Sequence, residues 1–235
     1  MYNVLVTGEA GFIGSHTVLS LIKNSYKPII IDNFENSHKI IIDKIKKITN
    51  KNIIFLKGDI LDSKFINKIF KNYKINIVIH FAAHKSVGES VSEPLKYYKN
   101  NIGGLFNVLK HATKNSIPFI FSSSCTVYGQ ADIMPIDENA ALKRAYSPYG
   151  YTKQMGEQII QDCCLANENF NAILLRYFNP IGAHSSAKIG EYPQGIPQNL
   201  IPFLTQTVIG KRSVLKVFGA EYDTLDGTCI RDYIH

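Results

Sequence analysis

The sequence has no apolar run long enough to cross a bilayer. Stretches such as Ile29-Ile30-Ile31 fall far short of the roughly 20 residues that a span needs. It has no secretory signal either: Met1-Tyr2-Asn3 leads straight into an apolar segment, without a basic n-region or a cleavage site. Cysteines are few. Cys125, Cys163, Cys164 and Cys229 form no CxxC pair and no Cys/His spacing of a zinc site, so reduced thiols and no metal are expected. Cys163 and Cys164 are adjacent on a helical stretch and are expected to face different sides. The formal net charge is +7, yet no run of five or six basic residues exists. A nucleic-acid tail is therefore not expected, and the scattered lysines read as a solvated surface. No internal repeat or low-complexity linker is present. A cytoplasmic protein with no nucleic-acid or membrane partner is the expectation.

What is present is a core. At 45% hydrophobic and 19% charged over 235 residues, the composition excludes disorder and allows one large domain with an appendage. Short apolar runs alternate with amphipathic stretches. Strands are expected at Val4–Thr7, Pro28–Asp32, Ile53–Lys57, Ile77–Phe81, Phe119–Ser122 and Ala172–Tyr177. Helices are expected at Phe12–Lys23, His38–Thr49, Ser63–Tyr73, 94–114 as one long element, and Pro148–Ala166. Buried strands alternating with helices imply an α/β doubly wound parallel sheet with right-handed crossovers. From Asn179 onward Gly and Pro become frequent, with a helix at Asn199–Val208 and a short strand at Leu215–Phe218. Residues 1–178 are read as a nucleotide-binding domain and 179–235 as the start of a smaller substrate region.

Gly8-Glu9-Ala10-Gly11-Phe12-Ile13-Gly14 lies between the first strand and the first helix. Gly8 permits the tight turn, Gly11 lets backbone N–H groups approach a pyrophosphate, and Gly14 allows close helix–strand packing. Asp32 closes the second strand, 24 residues after Gly8. A carboxylate there accepts ribose hydroxyls and repels a 2′-phosphate, so NAD is preferred over NADP. Gly58-Asp59-Ile60 ends the third strand, where an adenine edge can be read. Glu9 is discordant: a negative charge beside a pyrophosphate weakens binding unless it points to solvent, and Glu9→Gly is expected to tighten NAD binding.

Tyr149 and Lys153 stand at i, i+4 on one helical face, after the N-cap Ser147 and the first-turn Pro148. A phenol ordinarily titrates near ~10. A nearby ammonium and a positive nicotinamide ring favour the phenolate, which can then take a proton from a sugar hydroxyl. The alternative for Lys153 is a surface pair with Glu157. Ser122-Ser123-Ser124 ends the fifth strand, the edge where such sheets bind ligands, and Ser124 can relay a hydrogen bond; its alternative is ordinary turn chemistry.

Together these motifs resemble the extended short-chain dehydrogenase/reductase family. The resemblance runs over essentially the whole chain, through His80-Phe81-Ala82-Ala83, Lys85 to Ser90, Phe121 to Gly129, Leu174 to Pro180, Pro193 to Pro197 and Arg231 to His235. The later motifs are similar to the family's nucleotide-sugar C4 epimerases. That resemblance implies a Rossmann-like domain and a set of NAD contacts: Gly8, Gly11, Phe12, Ile13, Gly14, Asp32, Asn33, Asp59, Ile60, Phe81, Ala82, Lys85, Asn100, Ser122, Tyr149, Lys153 and Tyr177. It implies a UDP-hexose held by Ser124, Tyr149, Asn179, Asn199, Leu200, Lys216, Phe218 and Arg231, with Ser124, Tyr149 and Lys153 catalytic. Arg231 suits a diphosphate clamp; its alternative is a surface arginine. The implied reaction interconverts UDP-galactose and UDP-glucose through a 4-keto sugar, in a homodimer paired through residues 94–114 and 148–166. Sugar dehydratases of the family place an Asp-Glu pair after the serine; here Cys125 and Thr126 follow Ser124. Decarboxylases and reductases stay open. So does an NAD-binding module without turnover, because the family's epimerases continue beyond the motif that ends at His235.

Overall fold

The computed structural model describes residues 1–235. Six strands form one parallel sheet: β1 (Asn3–Thr7), β2 (Lys27–Asp32), β3 (Ile54–Lys57), β4 (Ile77–His80), β5 (Phe119–Ser122) and β6 (Ala172–Leu175), in the spatial order β3-β2-β1-β4-β5-β6. Helices α1 (Phe12–Lys23), α2 (Ile40–Thr49) and α3 (Ser63–Asn72) follow the first three strands. After β4 come α4 (Val87–Ser92), α5 (Pro94–Tyr97), a π-helical turn (Tyr98–Gly103) and α6 (Gly104–Lys114). Then α7 (Pro148–Ala166) joins β5 to β6. The expected doubly wound sheet is present.

Strand periodicity divides the core into two layers. Leu5, Ile29, Ile31, Val78, Phe119 and Phe121 pack with Ile66 and Ile69 of α3, Leu105, Val108 and Leu109 of α6, and Ile160 of α7. Val4, Val6, Ile30 and Ile79, one residue out of phase, pack with Val18, Leu19 and Ile22 of α1 and Ile41, Ile42 and Ile45 of α2. Only strands apolar on both faces can sit between two such layers. Cys163 and Cys164 are both partly buried against the first layer, and all four cysteines are free. No helix is long and apolar enough to cross a membrane.

Three expectations on secondary structure need correction. Residues 94–114 are not one helix. The chain widens to a π-helical turn at Tyr98–Gly103, and Asn101 there is turned inward, with Oδ1 accepting from the His84 N–H at 2.8 Å. Its amide donates to the His84 carbonyl at 3.1 Å and to Thr152 Oγ1 at 3.0 Å. A helix bulge of this kind re-aims side chains toward a site. Leu215–Phe218 is not a strand: Phe218 is 82% exposed, and no neighbouring strand offers its hydrogen-bonding groups a partner. The expected sixth strand to Tyr177 stops at Leu175, and the chain turns at Arg176 into the serine loop after β5. Beyond it, β7 (Asn179–Pro180) pairs in parallel with β8 (Tyr233–Ile234), and α8 spans Leu200–Val208.

Because Asn101 satisfies both backbone groups of buried His84, Asn101→Leu should destabilise the fold by about 1–3 kcal/mol in urea unfolding. A midpoint equal to wild type would show that the loop after β4 does not depend on the π turn.

Candidate active site

The strand order reverses between β1 and β4, whose last residues Thr7 and His80 are register partners. Crevices outside the carboxyl ends of such strands bind ligands. Gly8 follows at φ +72°, and a Cβ there would lie 2.5 Å from the Ala82 nitrogen, so only glycine fits where the two strand ends meet. Gly14 packs on the Glu9 backbone, which a Cβ would approach to 2.7 Å. Gly11 is the N-cap of α1 and has no side-chain cap, so the amides of the first turn, at Phe12 and Ile13, are left for an anion. These features fit a dinucleotide diphosphate.

Asp32 is held by Ala10 N at 2.9 Å, Phe34 N at 2.8 Å and Ser37 Oγ at 2.8 Å. The phosphate loop and the ribose-reading position are thus tied to one carboxylate. Asn33 donates to Asp59 at 3.2 Å, and Asp59 accepts from Leu61 N at 2.8 Å. Ile60 is buried beside Gly104 of α6. Phe81 and Ala82 leave β4 at the crevice, and Asn100 donates to Asn101 at 3.0 Å. Lys85 Nζ and Asn199 Nδ2 both reach Glu191 Oε1, at 3.2 Å and 2.6 Å, which brings one expected cofactor residue beside one expected substrate residue.

Glu9 does not point to solvent. Its side chain is fully buried and neither carboxyl oxygen has a hydrogen-bond partner. Burial, with Asp32 nearby, pushes its pKa up to about 8. The group is therefore neutral at neutral pH, and the expected charge penalty against a pyrophosphate applies only above pH 8.

Ser124, Tyr149 and Lys153 converge at the carboxyl end of β5. Ser147 caps α7 by accepting from Gly150 N at 3.2 Å, with Pro148 in the first turn. This sets Tyr149 and Lys153 one turn apart, and the Lys153 ammonium lies 5.9 Å from the Tyr149 ring centre. Lys153 does not pair with Glu157 on the surface, which settles the alternative stated for it. It is buried and donates to the Ser122 carbonyl at 2.6 Å. Burial pulls its pKa down to about 8, against the opposing pull of Glu157. The Tyr149 phenol moves opposite to expectation: burial pushes it up to about 12, while the Ser124 hydroxyl holds it back. Dehydration of the anion dominates, and Lys153 is not among the causes that oppose it. Ser122 Oγ pairs with the Tyr177 hydroxyl. His80, beneath them, bonds Thr7 Oγ1 at 2.9 Å and is driven down to about 3 by burial and by Lys153, so it stays neutral.

The substrate-side residues are less gathered. Asn179 donates to the Asp232 carbonyl at 2.8 Å, and Arg231 lies near Cys125, whose thiol is pushed up by burial with Arg231 among the smaller opposing causes. Leu200 opens α8 half-exposed. Lys216 and Phe218 lie exposed on the unpaired stretch and are not brought to the serine loop. Sequence reasoning missed Ser123, Arg176 and Glu191; Arg176 carried a signal, being a charged residue between an apolar strand and Tyr177.

The chain matches the family model described as "NAD dependent epimerase/dehydratase family" over residues 4–235. It is 48% identical over 233 residues to a UDP-glucose 4-epimerase of Haemophilus influenzae, covering 99% of this chain and 69% of that protein. It is 48% identical over 242 residues to the UDP-glucose 4-epimerase of Homo sapiens, with the same two coverages, 99% and 69%. Among solved structures, the UDP-glucose 4-epimerase from Bifidobacterium longum in complex with NAD+ and UDP superposes with a TM-score of 0.96 at 43% identity, covering 99% of this chain and 70% of that one. That from Stenotrophomonas maltophila, with NAD and formylated UDP-arabinopyranose, gives 0.95 at 42%, covering 100% and 70%.

Glu9 makes stability depend on pH with a definite sign. Its pKa is raised from 4.5 to about 8 in the folded chain. Its contribution is fully present below pH 4.5 and is lost as pH rises through the folded value of about 8. Glu9→Gln should flatten the fall in unfolding free energy over that window, measured by urea titrations at several pH values. Parallel pH slopes for the two proteins would remove the assignment.

Proposed function

The chain belongs to the NAD dependent epimerase/dehydratase family, and from that premise we propose that it inverts C4 of a UDP-hexose, interconverting UDP-galactose and UDP-glucose. The observation that carries this reading is the convergence of Ser124, Tyr149 and Lys153 beside the glycine loop. The relatives named UDP-glucose 4-epimerase support it.

NAD, when bound, supplies the hydride acceptor for the sugar carbon and a positive ring charge. Gly8, Gly11, Phe12 and Ile13 would hold its diphosphate and Asp32 its adenosine ribose. Tyr149 takes the proton of the C4 hydroxyl, directly or through Ser124. A phenol titrating near 12 is a poor base alone, so a charged Lys153 and the positive ring charge would both be needed, against dehydration, for the phenolate to form. Proton loss from oxygen and hydride loss from C4 leave a 4-keto sugar. Its return on the opposite face needs the hexose to turn while the UDP stays fixed. Asn179, Asn199, Leu200, Lys216, Phe218 and Arg231 are the proposed UDP-side contacts, and Tyr149 serves both directions as base and then acid. No net oxidation results. We further infer a homodimer paired through α5, α6 and α7, where Leu95, Phe106, Tyr151 and Met155 are solvent-exposed in the single chain.

The test is turnover of UDP-galactose by the purified 235-residue chain with added NAD, resolved from UDP-glucose by chromatography. Tyr149→Phe should lower kcat by about 10²–10⁴-fold. NAD binding without UDP-glucose formation would reduce the chain to a nucleotide-binding module. Release of a 4-keto product would move it to another branch of the family.

A further inference from the structure

Glu157 stands one turn beyond Lys153 on α7, so Tyr149, Lys153 and Glu157 follow one another at i, i+4 and i+8 along one face. Its side chain is 1% exposed, an unusual place for a carboxylate. Two groups meet it there. Arg176, at the end of β6, grips it in a bidentate pair, with Nε at 3.0 and 3.2 Å from its two oxygens and Nη2 at 2.7 Å. Ser123 donates its hydroxyl to the same carboxylate. Arg176 is itself steadied by the Tyr128 hydroxyl and the Glu138 carbonyl, both at 3.3 Å.

The serine loop is therefore clamped at successive residues. Lys153 holds the Ser122 carbonyl, Glu157 holds the Ser123 hydroxyl, and the Tyr177 carbonyl accepts from Cys125 N at 3.1 Å. Ser124 lies inside that clamp. A buried ion pair is weak evidence of stability, because desolvation offsets much of its attraction. This pair has a further consequence, since the carboxylate is on the Lys153 side of Arg176.

We propose that Glu157 is a positioning residue for the Tyr149–Lys153 pair: through Ser123 it fixes the loop that receives the Lys153 ammonium, and its charge keeps that ammonium protonated. The groups facing Lys153 are Tyr149 and Glu157 of its own helix, His80 of β4, and Tyr177 and Arg176 after β6. Of these, only Glu157 carries negative charge at neutral pH. His80 is neutral and the two phenols are protonated. Burial pulls the Lys153 pKa down, and Glu157 opposes this. The inference rests on the proposed reaction only in what the pair is for; the coupling itself is independent of turnover.

Two readouts separate the two claims. The first is titration of Lys153 by NMR of ε-carbon-labelled lysines, with the resonance assigned by Lys153→Met. The second is kcat against pH for UDP-galactose turnover. Glu157→Gln keeps an acceptor for Ser123 but removes the charge, and should move both the Lys153 titration and the alkaline limb of kcat to lower pH by on the order of one unit. Ser123→Ala keeps the charge and should lower kcat with KM and the Lys153 titration unmoved. If Glu157→Gln fails to fold because Arg176 is left unpaired, Glu157→Gln/Arg176→Met removes both charges and should show a smaller shift in the same acid direction, since the opposing Arg176 charge is lost as well. Superimposed Lys153 titrations for wild type and the folding variant would leave Glu157 a purely structural residue. A shifted titration in a chain that turns over no UDP-galactose would keep the coupling and discard the reaction.

Discussion

The fold depends on a missing side chain. Residue 8 sits where the ends of β1 and β4 converge, and the Ala82 backbone occupies the space a Cβ would need. With glycine there, the chain turns at positive φ directly from strand into helix, and the α1 amides open onto the crevice left by the reversed strand order. Every other part of the site is placed relative to that turn. Asp32 is tied to it through Ala10, and the loop after β4 leaves from its far wall. A substituent at residue 8 would push β1 and β4 apart at the one place where the sheet must be both closed and ligand-facing.

The second constraint is dehydration. Lys153 is buried and Tyr149 half-buried, without direct hydrogen bonding to each other, and dehydration moves their titrations apart, the lysine down to about 8 and the phenol up to about 12. Both shifts favour the neutral pair. The proposed reaction needs the charged lysine and, transiently, the phenolate. The surrounding charges therefore have to act against burial, and Glu157 is the one acidic group positioned to do so. This explains why a helix of modest amphipathicity buries a carboxylate two turns into its length. An aliphatic residue there would pack well but would leave the ammonium without a counter-charge in a dry site.

The parts of this architecture legible in the sequence are those governed by local chemistry. Pro148–Ala166 was readable residue for residue because Ser147 and Pro148 mark its start unambiguously. The buried strands were readable because Ile and Val runs of that length cannot be solvated. The illegible parts depend on partners distant in sequence. The π turn at Tyr98–Gly103 exists because Asn101 finds the backbone of His84. Leu215–Phe218 has the apolar pattern of a strand but no neighbour to pair with. Glu157 entered the sequence reading only as the surface partner in the alternative for Lys153, because i, i+4 spacing of opposite charges usually means that; Arg176, nearly twenty positions later by chain order, turns it inward. Glu9 read as discordant because a charge beside a pyrophosphate weakens its binding, and the structure resolves the conflict by burying it uncharged.

The two sides of the site differ in how much of them is formed. On the cofactor side, Asp32, Asn101 and the serine loop are each fixed by several hydrogen bonds, and Asp59 by two among half-buried groups. Such a surface does not have to reorganise as charge moves, which is the condition for electrostatic catalysis. On the sugar side, Lys216 and Phe218 are exposed and Arg231 bonds only the neighbouring Ile230 carbonyl at 3.0 Å. For the proposed reaction this asymmetry has a chemical logic. The proton and hydride must travel along fixed lines, so the groups that guide them need rigidity. The hexose must rotate between the two transfers, so tight complementarity to the sugar would stabilise one epimer's ground state and slow the turn. Grip is useful only on the part of the substrate that is the same in both epimers, the nucleotide diphosphate, and a guanidinium such as that of Arg231 suits that part rather than the sugar.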